Sequence, residues 1–203
     1  MAQNKNMFIT IALAIVIVTA IGVFVFTNLE STNQNNDDPS DANTNDETKE
    51  DEETLLTIVH KDNNYSYTLS DLENVESYTK PGRKIKSNGV IIGPYNYTGV
   101  KITTLMDEIG ILAEPYEITI TASDGYNKTF TKNQTQGILD FYNEDGNITE
   151  NGSATMIVAY QEDGVYYDEE YPLRIAFIGE YMPITSSSLW IKMITTIEID
   201  YLS

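Results

Sequence analysis

The amino-acid sequence predicts an α+β, mainly β domain held behind one transmembrane helix and a disordered acidic linker. Three observations carry this reading. An uncharged apolar run fills residues 7–26, an acidic stretch follows it to Glu53, and period-2 hydrophobic alternation recurs from Thr54 to Ser203. At 203 residues the chain has room for one ordinary domain and an appendage.

The run Met7 to Phe26, MFITIALAIVIVTAIGVFVF, carries no charge. At about 1.5 Å per residue it matches the roughly 30 Å hydrocarbon core of a bilayer. Lys5 precedes it and acidic residues follow. The positive-inside tendency therefore places residues 1–6 in the cytoplasm as a short N-terminus and everything after the helix outside. A cleaved signal peptide is the alternative. Its apolar region usually spans about 7–15 residues and ends in a small-residue site, so an uncleaved signal-anchor fits better. The expected localisation is the cell membrane, single-pass, with an extracellular C-terminal domain, on a cell surface of archaeal or Gram-positive type, the archaeal preferred.

Residues 27–53 form the linker, and Asn28 to Glu53 hold ten acidic residues against Lys49. With so little apolar surface the segment cannot offset the entropy of ordering, and self-repulsion keeps it extended.

Residues 54–203 read as the extracellular domain. LLTIVH and YSYTL flank Asp62-Asn63-Asn64 as a hairpin, and SDLE from Ser70 to Glu73 has the pattern of a capping box. In KITTLMDEIG, Ile102, Leu105, Met106 and Ile109 keep helical spacing and Gly110 supplies the stop. Ile118, Ile120 and Ala122 alternate along one strand, and Leu173, Ile175 and Phe177 along another. MIVAY, from Met156, is a continuous apolar run that reads as a central strand covered on both sides. The closing strand places Ile191, Met193, Ile197, Ile199 and Tyr201 on one face. Asp124-Gly125, Asp145-Gly146 and Asp163-Gly164 supply turns.

Composition excludes more than it proposes. The net charge of −19 opposes nucleic acid and anionic headgroups. Without cysteine there is no disulfide, thiolate ligand, cysteine nucleophile or cysteine lipid anchor, and a serine triad could use only His60. His60 closes an apolar run and reads as a strand residue. Six glycosylation sequons lie at Asn64, Asn96, Asn127, Asn133, Asn147 and Asn151, which would make the chain a glycoprotein where the machinery exists. Asn143, Asp145, Asn147 and Thr149 space oxygens as a calcium loop does, but no closing glutamate follows, so a polar hairpin tip is preferred. Asp107-Glu108 and Asp168-Glu169-Glu170 read as solvated faces. The 14 tyrosines suit half-buried strand positions or a stacking platform. Arg174, a rare cation at the start of an apolar strand, suits either an anion or a structural ion pair.

Five segments in order resemble the oxidoreductase molybdopterin-binding domain, the fold of the sulfite oxidase catalytic domain. They are YTGVKITTLMDEIG from Tyr97, ITASDGY from Ile120, MIVAYQEDGVYY from Met156, YPLRIAFIGE from Tyr171 and LWIKMITTIEI from Leu189. The resemblance implies a mainly β fold around a molybdenum-carrying molybdopterin, oxygen-atom or related redox chemistry, and cofactor-binding roles for Asp124, Tyr126 and Arg174. The chain departs from the pattern twice. It has no metal-binding cysteine near ESYTKPGRKIK, and Leu189 stands where the family places a lysine before the closing tryptophan. A soft thiolate is not readily replaced by serine or tyrosine. The function expected is a non-catalytic surface binding or interaction module, with no catalytic residue or metal site assigned and a small molecule, glycan or protein as partner. The alternative is a molybdopterin-dependent oxidoreductase with an altered metal ligand.

Overall fold

The computed structural model describes residues 52–111, 115–149 and 152–202. The predicted transmembrane helix and nearly all of the linker lie outside the described residues. Among those described, no helix is long and apolar enough to cross a membrane.

The opening alternation folds as a hairpin, β1 (Leu56–His60) antiparallel to β2 (Asn63–Tyr67), with His60 opposite Asn63. The turn is Lys61-Asp62, with Lys61 at φ 55°, so it is shorter than predicted and Asn63 and Asn64 belong to the strand. Helix α1 (Leu69–Asn74) has a capping box, formed by Thr68 and Asp71 instead of Ser70 and Glu73. The Thr68 hydroxyl accepts from the Asp71 amide at 3.1 Å, and the Asp71 carboxylate accepts from the Thr68 amide at 2.9 Å. An aspartate at the third helical position does the glutamate's part.

Strands β3 (Ser77–Ile85) and β4 (Ile91–Lys101) pair antiparallel, with an irregularity between Gly82 and Lys84. Helix α2 (Ile102–Glu108) follows as predicted, burying Ile102, Leu105 and Met106, and Gly110 takes φ 79° to end it. Strand β5 (Tyr116–Ala122) buries every second residue and turns through Asp124-Gly125 into β6 (Asn127–Thr131). A one-turn helix α3 (Lys132–Thr135), capped by Thr131, was not foreseen. The next hairpin, β7 (Phe141–Tyr142) with β8 (Ile148–Thr149), has the polar tip expected. There the Asn143 side chain accepts from the amides of Asp145 and Asn147 at 3.1 and 2.9 Å.

Strand β9 (Thr155–Glu162) buries Met156 through Tyr160 without a break, as a central strand should. It turns through Asp163-Gly164 into the short β10 (Val165–Tyr166). Strand β11 (Arg174–Ile178) buries Ile175 to Ile178 continuously, so the alternation read from Leu173, Ile175 and Phe177 describes only half of a strand covered on both sides. Strand β12 (Ile184–Ser186) leads through a 3-10 turn at Ser187–Leu189 to β13 (Ile194–Tyr201). A register shift between Ile194 and Thr196 breaks the period in β13. Its buried residues are Ile194, Ile197 and Ile199, while Met193, at φ 59°, is only partly covered.

Two sheets result. One has the order β2-β1-β13-β5-β6, with β1 and β13 parallel. The other runs β10-β9-β4-β3-β12, with β11 beside β10 on the same partner, β9, and β12 parallel to β3. Phe130 of the first and Phe177 of the second meet in the shared core with ring centroids 6.3 Å apart. The domain is mainly β with short helices, as the sequence pattern predicts.

Candidate functional site

Arg174 opens β11, half-buried between the fully buried Leu173 and the buried run Ile175 to Ile178. Its guanidinium lies 3.7 Å from the centre of the Tyr167 ring, and one terminal nitrogen donates to Glu162 at 2.9 Å. The backbone of Arg174 bridges to Lys192. Close by, the indole N–H of buried Trp190 donates to Thr185 Oγ1 at 2.8 Å, and its ring meets Tyr97 edge-on at 5.0 Å. The Lys84 ammonium sits 4.9 Å over the same indole. Burial, and then the charges of Arg174 and Lys192, push the Lys84 pKa down. Burial likewise pushes the Tyr97 and Tyr167 hydroxyls up, with Glu162 adding to the rise and Arg174 opposing it.

The predicted cofactor residues divide between two places. Asp124 and Tyr126 border a shallow cleft of about 330 Å³ beside Trp190 and Lys192. The Asp124 carboxylate accepts from the Tyr126 amide at 2.9 Å, closing the turn between β5 and β6. Arg174 does not border that cleft, since its side chain turns to Glu162 and Tyr167.

The donor set does not fit a molybdenum-bearing pterin. The sequence contains no thiol, and among the described residues no group of three or more His, Asp or Glu could hold a metal. The strand holding ESYTKPGRKIK is paired with β4 along one edge and with β12 at Arg83 to Ile85 on the other. At Gly82 on it, even a methyl group would stand 2.6 Å from the Phe177 carbonyl oxygen and 3.0 Å from the Trp190 ring.

A larger cleft, of about 710 Å³, shares no lining residue with the first. Glu52 and Glu53 border it from the end of the linker, Leu55 from the residue before β1, and Leu69, Ser70 and Glu73 from α1. Tyr160 ends the buried stretch of β9, Tyr166 lies in β10, and Tyr167, Glu169 and Pro172 come from the segment leading into β11. Each ring is held by a different partner. The Tyr160 hydroxyl is 2.8 Å from Ser77 Oγ, Tyr166 donates to the Glu73 carboxylate, and Tyr167 lies under the Arg174 guanidinium. Tyr160 and Tyr166 stack with centroids 6.2 Å apart and planes 19° from parallel. The Tyr167 hydroxyl is buried and has no hydrogen-bond partner among the described residues.

Residue-by-residue reading missed this cleft. Its only signal was three tyrosines around the Asp163-Gly164 turn, a spacing that brings β9 and β10 together. His60 is a buried strand residue packed edge-on against Tyr201 at 5.4 Å. Asp107-Glu108 and Asp168-Glu169-Glu170 are exposed, as are Asn64, Asn96, Asn127, Asn133 and Asn147. Asn151 lies outside the described residues.

No protein-family model and no curated protein matches the sequence. A solved structure, the sulfane dehydrogenase SoxCD from Paracoccus pantotrophus, matches with a TM-score of 0.51 and 16% identity, over 71% of this chain and 37% of that one. The likeness is one of fold, and this chain spans little more than a third of the length of its neighbour.

Proposed function

We propose that this chain is a membrane-anchored extracellular binding module, built on the sulfite oxidase type of fold but not catalysing its redox chemistry. The tyrosine cleft is its binding site. One observation carries the reading: Tyr160, Tyr166 and Tyr167 are fixed around a 710 Å³ opening by Ser77, Glu73 and Arg174. Rings held in place before a ligand arrives lose little freedom on binding, which favours recognition. The volume lies within the range of about 300–1,000 Å³ usual for small-molecule sites. Such a module, carried outside on an acidic linker, presents its cleft to the cell's surroundings.

The test is to produce the full chain in a molybdenum-replete host, purify it in neutral detergent, and measure molybdenum and pterin per chain. Substoichiometric traces of both are expected. One molybdenum and one pterin per chain would overturn the non-catalytic reading and return the chain to the oxidoreductases.

A further inference from the structure

The cleft is acidic as well as aromatic. Glu52, Glu53, Glu73 and Glu169 border it, and no Lys, Arg or His does. None of the four belongs to an ion pair among the described residues, whose pairs are Lys80–Glu180, Arg83–Glu144 and Arg174–Glu162. Glu73 receives the Tyr166 hydroxyl, an uncharged donor, so its negative charge stays in the cleft.

These facts narrow the ligand. Anions are repelled, and the linker of this chain, with ten acidic residues against one basic, is repelled too. A bare metal ion needs several oxygens converging on one point, and no three acidic residues so converge among those described. Charge spread along a cleft is matched by charge spread along a ligand. The tyrosine rings that line the cleft with the carboxylates suit methylene groups and ammonium ions, the latter through cation–π attraction. A neutral sugar would use the rings and leave the four carboxylates unmatched.

We infer that the cleft binds a linear polyamine, a chain of ammonium groups separated by methylenes. The carboxylates of Glu73 and Glu169 meet ammonium groups, and the faces of Tyr166 and Tyr167 cover the methylenes between them. This rests on the reading of the tyrosine cleft as the binding site and names its ligand class.

The experiment is calorimetric titration of the full chain in neutral detergent with spermine, with magnesium chloride and maltotriose as separate arms. Three variants accompany it: Glu169→Gln, Tyr166→Leu and, on the far strand β13, Glu198→Gln. Residues 166, 169 and 198 are all exposed, and unchanged melting temperatures verify that the variants fold. Saturable spermine binding near one per chain is expected, weakened about threefold to tenfold by each cleft variant and unchanged by Glu198→Gln. Spermine heats equalled by magnesium at the same charge concentration would refute the polyamine, as would equal weakening by Glu198→Gln. Saturable maltotriose binding lost in Tyr166→Leu, without spermine binding, would keep the cleft as the site and overturn its ligand class. No saturable binding of either probe would remove both.

Discussion

Replacing Arg174 by alanine separates the two roles its sequence position allows, anion ligand and structural clamp. In the folded domain its guanidinium donates to Glu162 at 2.9 Å and covers the Tyr167 ring at 3.7 Å. The side chains of Arg174 and Glu162 are 18% and 30% exposed, so the pair is neither fully screened nor fully desolvated. A charge-assisted hydrogen bond contributes about 1.5–3 kcal/mol, and the lower half applies here because of that exposure. The cation–π contact adds about 1 kcal/mol. Relief of repulsion with Lys84 returns part of the loss. The net cost is about 2–3 kcal/mol, which at about 2–4 °C per kcal/mol for a domain of this size lowers Tm by roughly 4–12 °C. Arg174→Lys keeps the charge but loses the planar fork, and is expected to recover less than half of the loss. Adding Glu162→Gln to Arg174→Ala removes the stranded carboxylate and is expected to restore about 1 kcal/mol. Differential scanning calorimetry of the full chain in detergent reads all three. A melting temperature within about 2 °C of wild type for Arg174→Ala, with no gain in the double variant, would refute the clamp and favour an anion site.

Three further outcomes follow from the same packing. Gly99→Ala would place a methyl carbon 2.0 Å from the Val158 carbonyl oxygen and 2.6 Å from the Ala159 Cα, so β4 and β9 must part; a loss of at least about 3 kcal/mol in urea unfolding is expected, and a loss under about 1 kcal/mol would contradict it. Trp190→Phe strands the buried Thr185 hydroxyl at a cost of about 1–3 kcal/mol, and Thr185→Val in that background should recover part of it. Above about pH 10, unfolded tyrosines ionise while Tyr97 and Tyr167 stay protonated in the fold, so stability present below pH 10 falls by up to about 1.4 kcal/mol per pH unit for each. Lys84 opposes this: its lowered pKa lets the folded chain lose that proton first, which adds stability until the unfolded lysine titrates near about 10.4. Urea midpoints with tyrosinate absorbance at 295 nm would show ionisation of these two tyrosines only on unfolding, and their full ionisation in the native baseline at pH 10 would contradict the burial.

What the sequence made legible, and what it hid, divides by the range of the interactions. Strands β5 and β9 and helix α2 are set by local periodicity, and each lies where its apolar spacing puts it. The register shift in β13 is not local, because it answers to β5, some 70 residues earlier, and a single extra residue there exchanged Met193 for Ile194 in the core. Arg174 stood out as a rare cation, but its partners come from β9 and from the segment after β10. The spacing of β11 gave no sign of them. The cleft was hidden by averaging. Residues 54–203 hold ten basic and 21 acidic residues, a net of −11 that describes an ordinary acidic surface. That number does not show that four glutamates from the linker's end, α1 and the segment before β11 face one opening with no cation among them. Nor does the count of 14 tyrosines show that three are each held by a separate partner around the same opening. Long-range pairing brings these glutamates and tyrosines to one opening. Arg174, which the sequence allows as an anion ligand or as half of a structural ion pair, pairs with Glu162 and covers the Tyr167 ring that borders this opening.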